Sequence, residues 1–436
     1  MDSRVPGLLA CLALLGSLGA GDLLIDVDAG QRDRVGTPIR VLLPKDPDRS
    51  FSFGTLENLE TRKLVPGQWH AGELIWNLDN PIPAGKTRRY RFRTIPTPDT
   101  RRDLPPTVLG SPLAFTPVGS HFEFSGHLDA IPLRLDGRTI FAYHKAVAQP
   151  PAGIDPLYRR SGFVHPLATR SGLTVTDDFP PDHAHQHGLF FAWVETTFDG
   201  RHVDFWNQHN RTGRVGHDPD EPGPMFHGGP TQGEFAAALR HDALNTPGGP
   251  EAVLKESWTF RAYDIPGLVV LDFESRQECA GARPLTIHKY HYGGLGFRGN
   301  RAWLDPVAKG EEPPDPARSG RAEFLTGEGK HRLDGNQTRP GWVDLSGQVD
   351  GRVGGITIVD HPGNFRFPQP VRLHPNKPYF SFAPAALGDF EIVPGRPYTS
   401  RYRLIVHDGR PEPKVIGRLR DDFADPPAVR IVPAGE

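Results

Sequence analysis

Hydrophobic positions in this chain recur with period two over short, turn-bounded runs, the mark of half-buried β-strands. Arg89-Tyr90-Arg91-Phe92-Arg93 alternates basic and aromatic residues and predicts a strand with one wet face. Similar runs occupy residues 23–27, 39–43 and 73–76 before it, and 122–124, 131–135 and 139–143 after it. Residues 252–263 and 268–277 read as a strand pair around Asp264-Ile265-Pro266-Gly267. Residues 356–359, 379–382 and 402–407 are late strands, with a turn at Val393-Pro394-Gly395. No amphipathic helix longer than about three turns emerges from i, i+3, i+4, i+7 spacing.

The pattern therefore predicts an all-β protein. Residues 21–95 form a small β-sandwich accessory domain, 96–112 a Pro- and Thr-rich linker, and 113–436 one large β-sandwich. By analogy of strand number, length and a histidine-lined face, the large domain is expected to be a galactose-mutarotase-like supersandwich. Residues 208–232 and 305–320 read as long loops.

One stretch departs from the binary pattern. Asp182-His183-Ala184-His185-Gln186-His187 puts a carboxylate and three imidazoles directly ahead of an apolar run, Leu189 to Trp193. If residues 183–193 are extended, His183, His185, His187, Leu189, Phe191 and Trp193 share one face. That face is a polar lip on an apolar floor, suited to a sugar-like ligand.

Three chemistries fit. Histidine titrates near neutrality, so these imidazoles, with Asp182, are candidate acid and base groups. Two histidines at i and i+2 on a strand also suit a metal ion, with His165, His288, His291 or His361 as third ligand. The third possibility is hydrogen bonding to a ligand alone. A structural corner, with Asp182 fixing one imidazole tautomer, competes with all three. No cofactor or metal is assigned. Arg160, with Tyr158, and His165, Tyr290, His291 and Arg298 are candidate substrate-binding residues from two further polar clusters. Trp206 and Asn207 suit a sugar, although Trp206 equally suits the core. Glu195, Asp204, Glu256 and Glu274 are unranked candidate bases. Asp272, Glu274, Arg276 and Glu278 share a face that is either a site wall or plain solvent exposure.

Composition narrows the partners. With 37% hydrophobic and 23% charged residues the chain is globular, and its 49 glycines and 46 prolines fit many turns. A net charge of −2 gives no global basic surplus for nucleic acid, so a small molecule or glycan is the expected ligand. Residues 1–20 read as a secretory signal: Arg4, an apolar run at 8–15, then Gly16, Ser17, Gly19 and Ala20. The run is shorter than the roughly 20 residues a membrane span needs. The mature chain is thus expected to be exported, without a transmembrane segment. Its remaining cysteine, Cys279, then has no partner for an internal disulfide.

Taken in order, Tyr158 to Pro166, Asp182 to Trp193, Tyr292 to Arg298, Asp360 to Asn364 and Arg401 to Gly409 resemble the methane oxygenase PmoA-like family over roughly residues 113–410. Residues 21–95 resemble the β module often placed ahead of that domain. The resemblance implies an exported bacterial protein encoded near sugar-modifying enzymes. Relatives often read Asp-His-x-His-His, whereas Gln186 stands here before His187. The function expected is a carbohydrate-active enzyme using histidine acid–base chemistry. A metal-dependent enzyme, oxidative or hydrolytic, on the same histidines and a non-catalytic glycan-binding protein are the alternatives.

Overall fold

The longest alternating runs form the longest strands. In the computed structural model, which describes residues 23–43, 53–94, 122–125, 129–304 and 322–432, Glu251–Ile265 and Leu268–Cys279 make an antiparallel hairpin. Ile265 pairs with Leu268, so Pro266 and Gly267 alone close it, with Gly267 at φ +77°. The signal segment, the linker and the loop at 305–320 lie outside the described residues.

The chain divides into two units, one comprising Met1–Gly110 with Pro426–Glu436, the other Ser111–Asp425. The last strand, Ala428–Val432, therefore does not belong to the large domain, where the 113–436 boundary had put it. It pairs antiparallel with Leu23–Asp28 and completes a seven-stranded sheet. Only backbone pairing shows this, because the strand carries no signal of its partner. The sheet curls around Ile25, Leu56, Trp76, Tyr90 and Phe92, and its end strands Pro38–Leu42 and Ala428–Val432 come near each other.

The large unit is an antiparallel β-sandwich, so the fold is all-β. One eight-stranded sheet runs from Val371–Leu373 through Tyr379–Phe382, Gly294–Arg298, Leu189–Ala192, Val164–Leu167, Arg138–His144 and Ala130–Leu135 to Phe122–Phe124. A larger sheet, centred on the long hairpin and Tyr398–Asp408, lies against it. Phe141 of the first sheet meets Phe260 of the second with ring centroids 5.3 Å apart, and Phe382 meets Tyr402 at 5.1 Å. Such aromatic burial carries much of the core energy. A four-stranded sheet of Arg201–Val203, Thr196–Phe198, Leu285–Ile287 and Phe390–Ile392 adds a third layer element.

Two expectations change. The 208–232 stretch holds strands Gly213–His217 and Met225–His227, because both find partners along Gln232–Ala243. The charged face of Leu268–Cys279 is a lattice of ion pairs, Asp272 with Arg403, Glu274 with Arg401 and Arg276 with Glu278. The α-helix, Pro413–Ala424, is short and buries Ile416 and Leu419 against Val270, Val359 and Ile405. No helix among the described residues is long and apolar enough to cross a membrane.

Candidate functional site

The histidine stretch lies in an excursion between two adjacent strands, Val164–Leu167 and Leu189–Ala192. It does not form the single extended face. His183 N–H bonds back to the Pro180 carbonyl at 3.0 Å, and Gln186 N–H to the His183 carbonyl at 2.9 Å, so residues 180–186 are consecutive turns. Pro180 and Pro181 bring no backbone donors, which bars a sheet ladder there. Gly188 then reverses direction at φ +48° and donates to the Asp177 carbonyl at 2.7 Å. A Cβ on Gly188 would sit 2.1 Å from the Val164 carbonyl oxygen. Gly188→Ala is expected to cost about 2–4 kcal/mol, from the left-handed backbone and the forced shift together. Urea denaturation measures it, and a loss under about 1 kcal/mol would show that the turn relaxes freely.

The turns separate the three histidines. His187 is fully buried, its Nδ1 2.6 Å from Asp178 Oδ1, between the rings of Phe163 and Phe179. Burial lowers its pKa, although Asp178 opposes the shift. It is a structural corner and lies outside the cleft, contrary to its expected place beside His183 and His185.

His183 and His185 instead line a cleft of about 600 Å³ together with His209 and His374. The four imidazoles run in series: His374 to His183 at 5.6 Å, His183 to His185 at 5.6 Å and His185 to His209 at 5.7 Å between centroids. His209 comes from the 3₁₀ turn Gln208–Asn210, and His374 from the turn that follows Val371–Leu373. Burial, then the neighbouring His183, hold both His185 and His374 down at about 3, so both are neutral at physiological pH. No described residue hydrogen-bonds to the His185 ring.

Asp182 is tied down by His183 and Arg298, with Lys377 Nζ also 3.6 Å from its Oδ2. Its Oδ2 is 2.9 Å from His183 Nδ1, and Arg298 holds both its oxygens, at 2.8 and 3.1 Å. Arg298 is fully buried and also donates to Gln186 Oε1 at 2.9 Å. Burial pushes the Asp182 carboxyl up, but His183 and Arg298 outweigh it and hold the group well below the usual carboxylate range. His183 thus presents a tautomer with Nδ1–H toward the carboxylate. Its Nε2 makes no hydrogen bond to a described residue. Gln186 serves Arg298, accepting a hydrogen bond from its guanidinium.

The remaining wall is aromatic. Trp206 packs edge-on to Tyr292 at 5.5 Å and Tyr379 at 5.9 Å, and Tyr158 stands 6.5 Å from His185. Trp206 is only 1% exposed, yet its residue lines the cleft with Asn207. It lies across Gly296, where a Cβ would come within 2.6 Å of the indole. Asp204 is committed to the backbone of Trp206 and Asn207 and to the amides of Asn207 and Asn210.

Other expected contributors lie elsewhere. Arg298 acts on Asp182 and not on the open cleft. His165 bonds Thr176 Oγ1 at 2.9 Å, and burial lowers its pKa to about 4. Tyr290 and His291 pack edge-on against Tyr292, but Tyr292 alone of the three lines the cleft. Arg160 is buried and walls a neighbouring cleft. His288 pairs with Asp389, and His361 packs on Phe423. Glu256 is buried among His241, Trp258, Ser275 and Gln277. His209 and His374 escaped the sequence reading. His209 had a signal in its place next to Trp206-Asn207, whereas His374 arrives only through the pairing of Tyr379–Phe382 with Val371–Leu373.

An all-β chain whose sandwich carries a histidine-lined aromatic cleft is the class that fold and site define. The chain belongs to a family of unknown function, DUF6807, whose pattern matches residues 130–420. No curated protein matches it. Among solved structures it is similar to a glycosyl hydrolase family 38 protein from Enterococcus faecalis, at 8% identity and TM-score 0.36, over 95% of this chain and 48% of that one. It is also similar to a heparan sulfate lyase HepC mutant from Pedobacter heparinus, at 10% identity and TM-score 0.25, over 67% and 36% of the two chains. A galactose mutarotase related enzyme from Lactobacillus acidophilus matches at 10% identity and TM-score 0.23, over 66% of this chain and 97% of that one. The chain spans about half the length of the family 38 protein.

Proposed function

We propose that the protein is an exported, PmoA-like carbohydrate-active enzyme in which His183 moves a proton on a sugar bound in the cleft. The Asp182–His183 pair on the cleft wall carries this reading. A carboxylate fixed by a buried arginine sets the imidazole tautomer and leaves Nε2 as a general base. Neutral His185 and His374 then donate and accept hydrogen bonds with hydroxyls, and the half-buried Tyr158 and Tyr292 offer ring surface to the sugar, backed by the buried Trp206 and Tyr379. His183 is the catalytic residue, with Asp182 and Arg298 as positioning residues.

The test is incubation of the full chain with neutral and acidic oligosaccharides and their 3-keto derivatives, followed by mass spectrometry and proton NMR. Conversion that disappears in His183→Ala supports the reading. Binding without any conversion across the panel would leave a glycan-binding protein in its place.

The series of four imidazoles favours a second reading, a divalent metal ion held by histidine nitrogen. As they stand, no three His, Cys, Asp or Glu side chains among the described residues are grouped closely enough to hold one. Metal analysis of the purified protein decides: stoichiometric zinc, copper or iron that is lost in His183→Ala/His185→Ala would replace base catalysis by metal chemistry.

A further inference from the structure

The histidine cleft does not end at its own wall. Asp155 is shared with a second cleft of about 380 Å³, and Arg159 and Arg214 are shared between that cleft and a third of about 320 Å³. The three follow one another along the 3₁₀ turn Pro156–Tyr158 and the residues after it. Charge changes sharply along this path. The two outer clefts are walled by Lys145, Arg159, Arg160, Arg211, Arg214 and Arg240, against the carboxylates of Asp155 and Asp242 alone. A protein of net charge −2 thus concentrates cations on one side of its candidate site.

These cations are not all neutralised from within. Arg214 and Arg240 pair with Asp242, and Arg240 also reaches Asp218 and Asp220. Lys145, Arg159, Arg160 and Arg211 have no ion pair among the described residues. Arg160 is the decisive one. It is 3% exposed, and its Nε and Nη2 are buried without a hydrogen-bond partner. Its guanidinium lies 5.1 Å from the centroid of the Phe190 ring, and the carboxylates it senses, Glu256 and Asp178, act through space. A buried guanidinium whose N–H groups find no acceptor is costly, and an anion that reached it would relieve that cost. Guanidinium forks suit carboxylate and sulfate oxygens in particular.

We propose that the arginine end of this groove binds an anionic substituent, a carboxylate or a sulfate ester, of a glycan whose reacting sugar lies in the histidine cleft. This rests on the function proposed above and adds the substrate class, an acidic oligosaccharide. Three neighbouring clefts that share lining residues suit several linked sugars better than a monosaccharide. The basic patch is local, which favours a short acidic glycan over a nucleic acid, whose phosphates would need a longer cationic track.

Calorimetric titration of the full chain with equal-length oligomers of neutral glucan, polygalacturonate and sulfated galactan tests it, with oligothymidylate as a fourth probe. At least one acidic sugar oligomer is expected to bind about ten-fold or more tightly than the neutral one, and the advantage should shrink as salt rises. The double variant Arg159→Gln/Arg211→Gln changes two exposed side chains and should bring acidic and neutral oligomers to near parity without loss of fold. Whether polygalacturonate or sulfated galactan gains tells carboxylate from sulfate. Equal affinity for neutral and acidic oligomers, an unchanged preference in the double variant, or tightest binding to oligothymidylate would each overturn the proposal. Conversion is scored in the same samples. Arg159-dependent binding of an acidic oligomer without conversion supports the anion site while removing the catalytic reading. His183-dependent conversion confined to the neutral oligomer does the reverse.

Discussion

Alanine at position 183 is expected to lower turnover of any converted oligosaccharide by about 10²–10⁴-fold, mostly in kcat, the loss typical of a positioned general base. Asp182→Asn should fall in the same range, since an amide that presents its donor to Nδ1 stabilises the other tautomer and moves the free lone pair away from the cleft. His187→Asn is the control. His187 lies outside the cleft and is held by Asp178, so this change is expected to reduce stability and leave the rate per folded molecule near wild type. Comparable loss of kcat in all three variants, at equal folded fraction, would remove the distinction between the two histidines. A sugar reacting through His183 should also protect it from carbethoxylation, which reads its accessibility independently of turnover.

Arg298→Met is expected to destabilise the large unit by about 3–5 kcal/mol, because a fully buried guanidinium is removed from a carboxylate and an amide oxygen that stay behind. The sign of the pH dependence follows from Asp182. Its folded pKa is depressed below the ordinary 3.8. Its stabilisation is therefore present above about pH 4 and is lost as pH falls toward the folded value. The deficit of Arg298→Met should be full near neutrality and narrow below about pH 4. A deficit independent of pH would mean that Arg298 acts by packing alone. The histidines act in a higher window. His185 and His374 are held at about 3 against the ordinary 6.5. Between those values the unfolded chain binds protons that the folded one does not, so wild type should lose stability from about pH 6.5 downward. His185→Asn should flatten that slope, because the ring has no hydrogen bond to lose. Equilibrium unfolding at successive pH values separates the two windows.

Local pattern made the strands legible. The hairpin of Glu251–Ile265 and Leu268–Cys279 has alternation along both arms and a Pro-Gly turn between them, all encoded within about thirty residues. The histidine stretch was legible as a concentration of titratable groups but not as geometry. A strand through 183–193 would have kept three imidazoles on one face. Pro180, Pro181 and Gly188 permit turns there, but which turns they make depends on the carbonyls of Asp177 and Pro180. The ion-paired face of Leu268–Cys279 was ambiguous for a related reason, since Arg401 and Arg403 arrive from a strand over a hundred residues later.

What the sequence by itself determined is the all-β character, the long central hairpin and the place in the chain where proton-transfer groups gather. Each follows from neighbours within a few residues, through pleat, turn chemistry and charge density. The tertiary structure decided which of those groups work together. It buried His187, set Arg298 behind Asp182, and brought His209 and His374 to His183 and His185. It also returned Ala428–Val432 to Leu23–Asp28 at the far end of the chain. These depend on contacts between residues tens to hundreds of positions apart. The free energy of such a contact is set by what packs around it, and no local pattern records that.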